Sequence, residues 1–313
     1  MFLRLLLILL LCLLPFAAPT HAGSLPSEGA LSLAWRADSA LLAVGTEGGI
    51  TFYDPLRGVA VGQLAEPLAA SGGMAALVWS PDGEQIAAAR YDGVIRVWQV
   101  RDGVRRLTLR GHIGAVNGIA WSPDGTLLAS AGDDFTVRVW HAADGTLQQM
   151  LSKHRSRAIC LVFTPDGAGL VSGGADNRVL LWRVADGSSP NNPQAHRDEV
   201  YALAYAPDGN GFASGGADGT LRVWRASGEP LLAFTHGAHV IGLGWDGNFV
   251  LSVGRDGTLS VWDTTQRLDQ PMRRTETGMA LKRAALSPDG AWLALITVEG
   301  GLHVLQRAAF MPN

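Results

Sequence analysis

Four stretches of the chain contain His, Ser, Asp and Trp in the same order and at nearly the same spacing. Serine, imidazole and carboxylate are the parts of a nucleophilic hydrolase site, in which the imidazole takes the proton of the attacking hydroxyl. Such a site has to occur only once in a chain, so four copies favour a structural role. The four sets are His112, Ser130, Asp134 and Trp140; His154, Ser172, Asp176 and Trp182; His196, Ser214, Asp218 and Trp224; and His236, Ser252, Asp256 and Trp262.

The chemistry of these side chains allows a relay of hydrogen bonds. An indole N–H only donates and an ionised carboxylate only accepts, whereas hydroxyl and imidazole groups do both. The order Trp, Ser, His, Asp therefore gives every member a partner, which makes burial of the set tolerable. We predict that each set braces its own part of the fold. No metal site is expected, because the four histidines lie in separate repeats and none forms a His-x-x-x-His pair.

The four sets belong to a repeat that extends over nearly the whole chain. Tryptophans recur at intervals of 42 residues from Trp98 to Trp224, and Trp262 follows after 38 residues. Upstream of them recurs a Trp-Ser-Pro-Asp-Gly motif, intact at Trp79 and Trp121 and varied elsewhere. Self-comparison gives seven units, at about residues 29–66, 67–108, 109–150, 151–192, 193–233, 234–272 and 273–306.

Each unit translates into strands and turns, as the third unit illustrates. Residues 116–121 are an apolar strand, and Pro123-Asp124-Gly125 has the residue types of a tight turn. Further strands are predicted at residues 127–131, 136–140 and, less regularly, 147–151. A four-stranded sheet cannot bury both of its apolar faces alone, but stacking sheets around an axis buries them. The pattern is therefore typical of a propeller blade.

These repeats resemble those of the WD-repeat family of β-propellers, over nearly all of residues 23–313. The Trp-Asp dipeptide of the family is intact at Trp262-Asp263, and its Gly-His dipeptide is intact at Gly111-His112. With the repeat count, the resemblance implies an all-β fold: a single seven-bladed propeller of four-stranded antiparallel blades. It also implies that each relay ties the third strand of a blade to the loop entering the blade and to the turn before that strand.

Units one, two and seven lack the complete relay, so we expect them to depend on apolar packing. These units are neighbours in a closed ring, which predicts a weaker arc where the ring closes. The residues at the four relay positions are Pro26, Ala43, Glu47 and Tyr53 in unit one; Ala70, Ala88, Asp92 and Trp98 in unit two; and Thr277, Leu295, Glu299 and Leu305 in unit seven.

Two segments predict irregular blades. In the resembling family an N-terminal strand usually completes the last blade, but a chain cut after Ala22 retains little more than residues 23–25 for that purpose. The last blade is therefore expected to be incomplete, with three strands or a minimal fourth. The Pro-rich segment 188–193 cannot form a regular ladder, because proline lacks the N–H donor. It predicts a broken outer strand in blade four.

Residues 1–22 have the features of a signal peptide. Arg4 precedes an apolar run from Leu5 to Leu14, and small residues precede a predicted cleavage site after Ala22. The run is shorter than the roughly 20 residues that a membrane span needs, so no stable span is expected after cleavage. We expect an exported protein, in a bacterial periplasm or outside the cell. An uncleaved leader, giving a membrane-tethered regulator, is the alternative.

Composition and motifs restrict the function. The net charge is −3 and lysines are few, which disfavours nucleic acid as a partner. The chain contains no His-Glu-x-x-His motif, no phosphate-binding Gly loop before a helix and no paired-Cys metal spacing, so no cofactor is predicted. Cys160 lies in an apolar run and is expected to behave as an inert small hydrophobe.

The favoured interpretation is a non-catalytic scaffold, which binds a protein or peptide through loops on one propeller face. Mixed charge with an aromatic residue at a rigid face suits recognition. A propeller enzyme that acts on a small molecule at the axial opening is the alternative from a different class. The candidate contacts, found by aligning the repeats, are Tyr91, Asp133, Arg157, Glu199, His239 and Arg255.

Overall fold

A computed structural model describes residues 21–25, 29–65, 73–190, 192–193, 195–266 and 270–311. These residues form seven antiparallel β-sheets, and the helical element among them is the short 3₁₀ turn Arg307–Ala309. The first strands of successive sheets contact one another, so they line the axis of the ring. The predicted all-β, seven-bladed propeller is therefore confirmed.

The strands of each blade follow in order from the axis outwards. Blade one has Ser32–Trp35, Leu42–Gly45, Gly49–Asp54 and Val59–Ala65; blade two has Met74–Trp79, Gln85–Arg90, Ile95–Gln99 and Arg105–Leu109; blade three has Val116–Trp121, Leu127–Gly132, Val137–His141 and Leu147–Leu151; blade four has Ala158–Phe163, Gly169–Gly174 and Val179–Arg183. Blade five has Val200–Tyr205, Gly211–Gly216, Thr220–Arg225 and Pro230–Thr235; blade six has Val240–Asp246, Phe249–Gly254, Thr258–Asp263 and Arg273–Glu276; blade seven has Leu281–Leu286, Trp292–Thr297, Leu302–Gln306 and, outermost, His21–Leu25.

The core lies between neighbouring blades. Between blades three and four, Val139 and Leu151 of one sheet pack with Phe163, Leu170 and Trp182 of the next. Every blade thus covers an apolar face of its neighbour, which supplies the burial that one sheet cannot achieve.

The ring closes within blade seven. The last repeat unit supplies three strands, and the N-terminal strand His21–Leu25 adds the fourth to the sheet. It runs antiparallel to Leu302–Gln306, with an irregularity between Ala22 and Leu25. The cleavage site predicted after Ala22 lies inside this strand. Cleavage there would leave residues 23–25 of the strand, and Leu25 is buried in the core cluster that joins blades one and seven.

Blade four has three strands, as the Pro-rich segment predicted. Arg183 N–H donates to the Ser188 carbonyl, and Val179 N–H donates to the Pro193 carbonyl at 3.4 Å. Pro190 and Pro193 have no N–H to return such bonds, so the described residues 188–190 and 192–193 follow the sheet edge without forming a strand.

Candidate functional site

The relay of blade three has the predicted connections. Trp140 Nε1 donates to Ser130 Oγ at 2.9 Å, and Ser130 Oγ lies 2.8 Å from His112 Nε2. His112 Nδ1 lies 2.9 Å from Asp134 Oδ1. Blades four and five repeat the arrangement within 0.1 Å at each of these links; their residues are His154, Ser172, Asp176 and Trp182, and His196, Ser214, Asp218 and Trp224.

The Asp of each relay fixes two loops at once. In blade three, Asp134 lies in the turn before the third strand and accepts the N–H of Ile113 from the loop that enters the blade. Burial alone would raise the pKa of Asp134, but hydrogen bonds from Thr136 and His112 outweigh it and hold the pKa at about 2. Burial lowers the pKa of His112. At neutral pH the pair is therefore an ionised carboxylate and a neutral imidazole.

The relays cannot act as nucleophilic sites. The Ser130 side chain is 0% exposed, and its hydroxyl is held by an indole on one side and an imidazole on the other. A catalytic serine needs an open cleft and an oxyanion site beside it. These residues are consequently braces that join the loops to the sheet.

The relay predicted for blade six is wrong at its histidine–aspartate link. His236 Nδ1 lies 2.8 Å from Ser252 Oγ, and among the described residues no carboxylate accepts a hydrogen bond from His236 Nε2. Asp256 is exposed and accepts the N–H of Thr258 instead. The sequence separation from His to Ser is 16 residues here and 18 in the other relays, and the ring presents its other nitrogen to the serine. Burial lowers the pKa of His236 to about 4.

The second blade also differs from the prediction of purely apolar packing. Asp92 occupies its relay position and forms ion pairs with two arginines in place of a histidine. Arg90 Nε and Arg96 Nη2 each lie 3.4 Å from Asp92 Oδ2. Because Arg90 is 1% exposed, this is a buried ionic brace. The arginine at position 90 is the sequence feature that could have indicated it.

The six candidate contact residues all lie on one face of the ring. We call it the axial face: it carries the starts of the innermost strands and the turns between second and third strands. Tyr91 is 43% exposed there. Asp133 accepts the Asn117 side-chain N–H at 2.9 Å, and Arg157 pairs with Glu199 at 3.1 Å.

His239 and Arg255 meet at a cavity of about 300 Å³ between blades five, six and seven. Two cations that sequence reasoning missed, Lys282 and Arg283, line the same cavity. They lie at the start of the innermost strand of blade seven, where blade two has Ala75 and Ala76. The other lining residues are Tyr201, Ile241, Leu281 and Val298.

The axial channel adjoins this cavity. Tyr201 and Arg283 line both, and the channel has a volume of about 180 Å³. Arg283 Nη2 donates to the Ala75 carbonyl of blade two at 3.4 Å, so its guanidinium crosses the channel. Cys160 also lines the channel, and burial raises the pKa of its thiol to about 12.

Comparison with known proteins identifies the family. The model of the family described as "WD domain, G-beta repeat" matches residues 66–99, 103–141, 145–183, 188–225 and 228–263, which is more than half of the chain. The chain belongs to the WD-repeat family. A search of curated proteins returned no match.

A solved structure shows the same fold. A chain of the "Crystal Structure of Mitotic Checkpoint Complex" aligns with a TM-score of 0.83 and 23% identity, over 92% of this chain and 95% of that one. Identity at this level supports the architecture alone. The five matched WD repeats fall in blades two to six, so blades one and seven, which meet at the closure, are the least typical.

A groove of about 920 Å³ lies between blades four and five of this WD-repeat propeller. Pro190, Leu181 and Tyr205 contribute to its lining. Pro190 belongs to the segment that follows the edge of blade four in place of an outer strand, so the groove borders that edge.

Two further findings concern metals and membranes. In the part of the chain that the structure describes, no three His, Cys, Asp or Glu residues are grouped so that they could hold a metal ion. Within the same residues, no helix has the length and apolar character needed to cross a membrane.

Proposed function

We propose that this WD-repeat protein is a non-catalytic scaffold that binds a protein or peptide through its axial face. The observation that carries the proposal is that the polar side chains fall into two groups, one buried in the relays and one exposed on the axial face. Side chains that could form a catalytic set are consumed as buried braces, whereas His239 and Arg255 are exposed at a cavity on the axial face. The similar chain in the "Crystal Structure of Mitotic Checkpoint Complex" supports the same class of function.

An enzyme at the axial opening requires an activated nucleophile or base there. Cys160 lines the channel, but its thiol, with a pKa of about 12, stays protonated at neutral pH. The cations of the neighbouring cavity can bind and orient an anion. These features favour binding over catalysis.

We expect a photo-cross-linking residue at position 255 to form a defined adduct with a partner protein in the cell envelope. The same cross-linking residue at position 183 is the matched control. Arg183 is also exposed, but it lies at the end of the third strand of blade four, away from the axial face. In chains that carry the cross-linker at 239, Arg255→Glu should reduce adduct formation at least about tenfold, since rim charges steer encounter, and Arg183→Glu should leave it unchanged. Equal adducts from positions 255 and 183 would remove the axial face from the proposal.

We further propose export to a bacterial periplasm, which rests on the leader-like composition of residues 1–22. Mass spectrometry of the protein isolated from the envelope should find Gly23 as the first residue. That chain retains Leu25, which is buried in the closing strand. Detection of an intact leader would instead support a membrane-tethered regulator.

A further inference from the structure

We propose that the cavity between blades five, six and seven binds a carboxylate side chain from an acidic segment of a partner protein. The inference rests on the proposed scaffold function and specifies the chemistry of the partner. We call the cavity the cationic pocket, defined by His239, Arg255, Lys282 and Arg283 with Tyr201 and Ile241.

Three cations of the pocket have no anionic partner among the residues that the structure describes. Among the described residues, Arg255, Lys282 and Arg283 form no salt bridge, whereas Arg157 nearby on the axial face pairs with Glu199. Glu199 also accepts the hydroxyl of Tyr201 at 2.8 Å, so its carboxylate is engaged. Positive charge is therefore concentrated in the pocket without compensation.

Acidic residues beside the pocket do not change this balance. Asp256 follows Arg255 in its turn and is exposed, with the backbone of Thr258 as its partner. Glu299 follows the lining residue Val298, and it forms no salt bridge with the described cations. Burial, together with the charge of Arg283, lowers the pKa of Lys282, which means that its ammonium is partly desolvated beside another cation. A bound carboxylate would relieve that repulsion.

The walls of the pocket indicate which kind of ligand bears the anionic group. Ile241, Leu281 and Val298 contribute apolar surface beside the cations. The volume of about 300 Å³ is at the lower end for small-molecule sites and suits one or two side chains. A free inorganic ion would leave these apolar walls uncovered. An acidic residue next to an apolar residue would instead contact both the cations and the apolar walls. The pocket also opens beside the axial channel, on the face already proposed for protein binding.

The test measures the binding of labelled peptides to the purified protein by fluorescence anisotropy at low salt. The probe is a six-residue peptide of alternating leucine and glutamate, and its controls replace glutamate by glutamine or leucine by serine. We expect the leucine–glutamate peptide to bind at least about tenfold more tightly than either control, and addition of salt to weaken it.

Matched variants locate the binding. The double variant Arg255→Gln with Lys282→Gln should lower the affinity for the leucine–glutamate peptide at least about tenfold. Arg183→Gln, which removes an exposed arginine outside the axial face, should leave it unchanged. Arg283 is kept because it also bonds across the channel, and equal melting temperatures of all variants establish that the fold is intact.

Several outcomes would overturn the proposal. Equal affinity for the glutamate and glutamine peptides, or no measurable binding of the leucine–glutamate peptide, would exclude a carboxylate anchor. Inorganic phosphate that binds the pocket and competes equally with all peptides would indicate a small-anion site only. If Arg255→Gln with Lys282→Gln leaves envelope cross-linking at position 239 intact, the pocket is not the anchor although the scaffold function stands. If the protein with Arg255 and Lys282 in place forms no cross-link from any axial-face position, the scaffold function itself is rejected.

Discussion

Replacing Asp218 with alanine is expected to lower the free energy of unfolding by about 2–3 kcal/mol, whereas the same change at Asp256 should cost less than about 1 kcal/mol. Asp218 accepts hydrogen bonds from His196 Nδ1 and from the N–H groups of Arg197 and Thr220, and its side chain is 7% exposed. Asp256 is exposed and accepts one backbone N–H. The two residues occupy the same repeat position, which makes each the control for the other.

The lowered pKa of Asp218 gives the same contribution to the free energy of unfolding. Burial raises this pKa, but the bonds from Arg197, Thr220 and His196 outweigh burial and lower it from 3.8 to about 2. Each pKa unit corresponds to about 1.4 kcal/mol, so the folded state favours the ionised carboxylate by about 2–3 kcal/mol at neutral pH. This contribution is complete above pH 3.8 and is lost as the pH falls through about 2.

Urea denaturation of Asp218→Ala and Asp256→Ala at neutral pH measures the difference. Unchanged m-values would establish that the variants differ from the parent in stability alone. Equal losses at the two positions would contradict the assignment of a working relay to blade five and a broken one to blade six.

Between pH 7 and pH 4, His236 is expected to make the protein about 3 kcal/mol less stable. Burial lowers the pKa of His236 from 6.5 to about 4 in the folded chain. The unfolded chain therefore takes up the proton first as the pH falls. The contribution of His236 to stability is complete above pH 6.5 and declines as the pH falls from 6.5 to 4. Below pH 4 this residue causes little further loss.

His236→Gln should remove this decline, because glutamine has no charge to gain. Denaturation midpoints measured at intervals from pH 7.5 to 4.5 give the slope for the parent and the variant. His239→Gln is the control, since His239 is exposed on the axial face and its replacement leaves the buried ring in place. The relay histidines His112 and His196, whose pKa values burial also lowers, contribute equally to all three proteins. An identical slope for the parent and His236→Gln would exclude a buried neutral imidazole at this position.

Local chemistry explains why much of the fold was predictable. The spacing of Trp140, Trp182 and Trp224 fixes the repeat, and in blades three to five the donor and acceptor order of each set gives a chain of bonds that satisfies all its members. The broken edge of blade four was predictable from Pro190 and Pro193, because the missing N–H is a property of the residue itself.

Side-chain orientation was less predictable, because neighbouring segments determine it. His236 has the residue type of a relay histidine, yet a loop two residues shorter presents its other nitrogen to Ser252. Asp92 was assigned to a blade without a relay, and the buried Arg90 beside it became visible as a partner only in the folded sheet.

By itself, the sequence determined the repeat, the strand order within blades one to six and the relays of blades three to five, since all of these depend on residues within about 42 positions of one another. The tertiary structure alone decided that His21–Leu25 pairs with Leu302–Gln306 and that His239, Arg255, Lys282 and Arg283 line one cavity. These contacts join separate repeats, and no local pattern encodes them. They arise because closure of the ring brings the innermost strands of all blades to one axis.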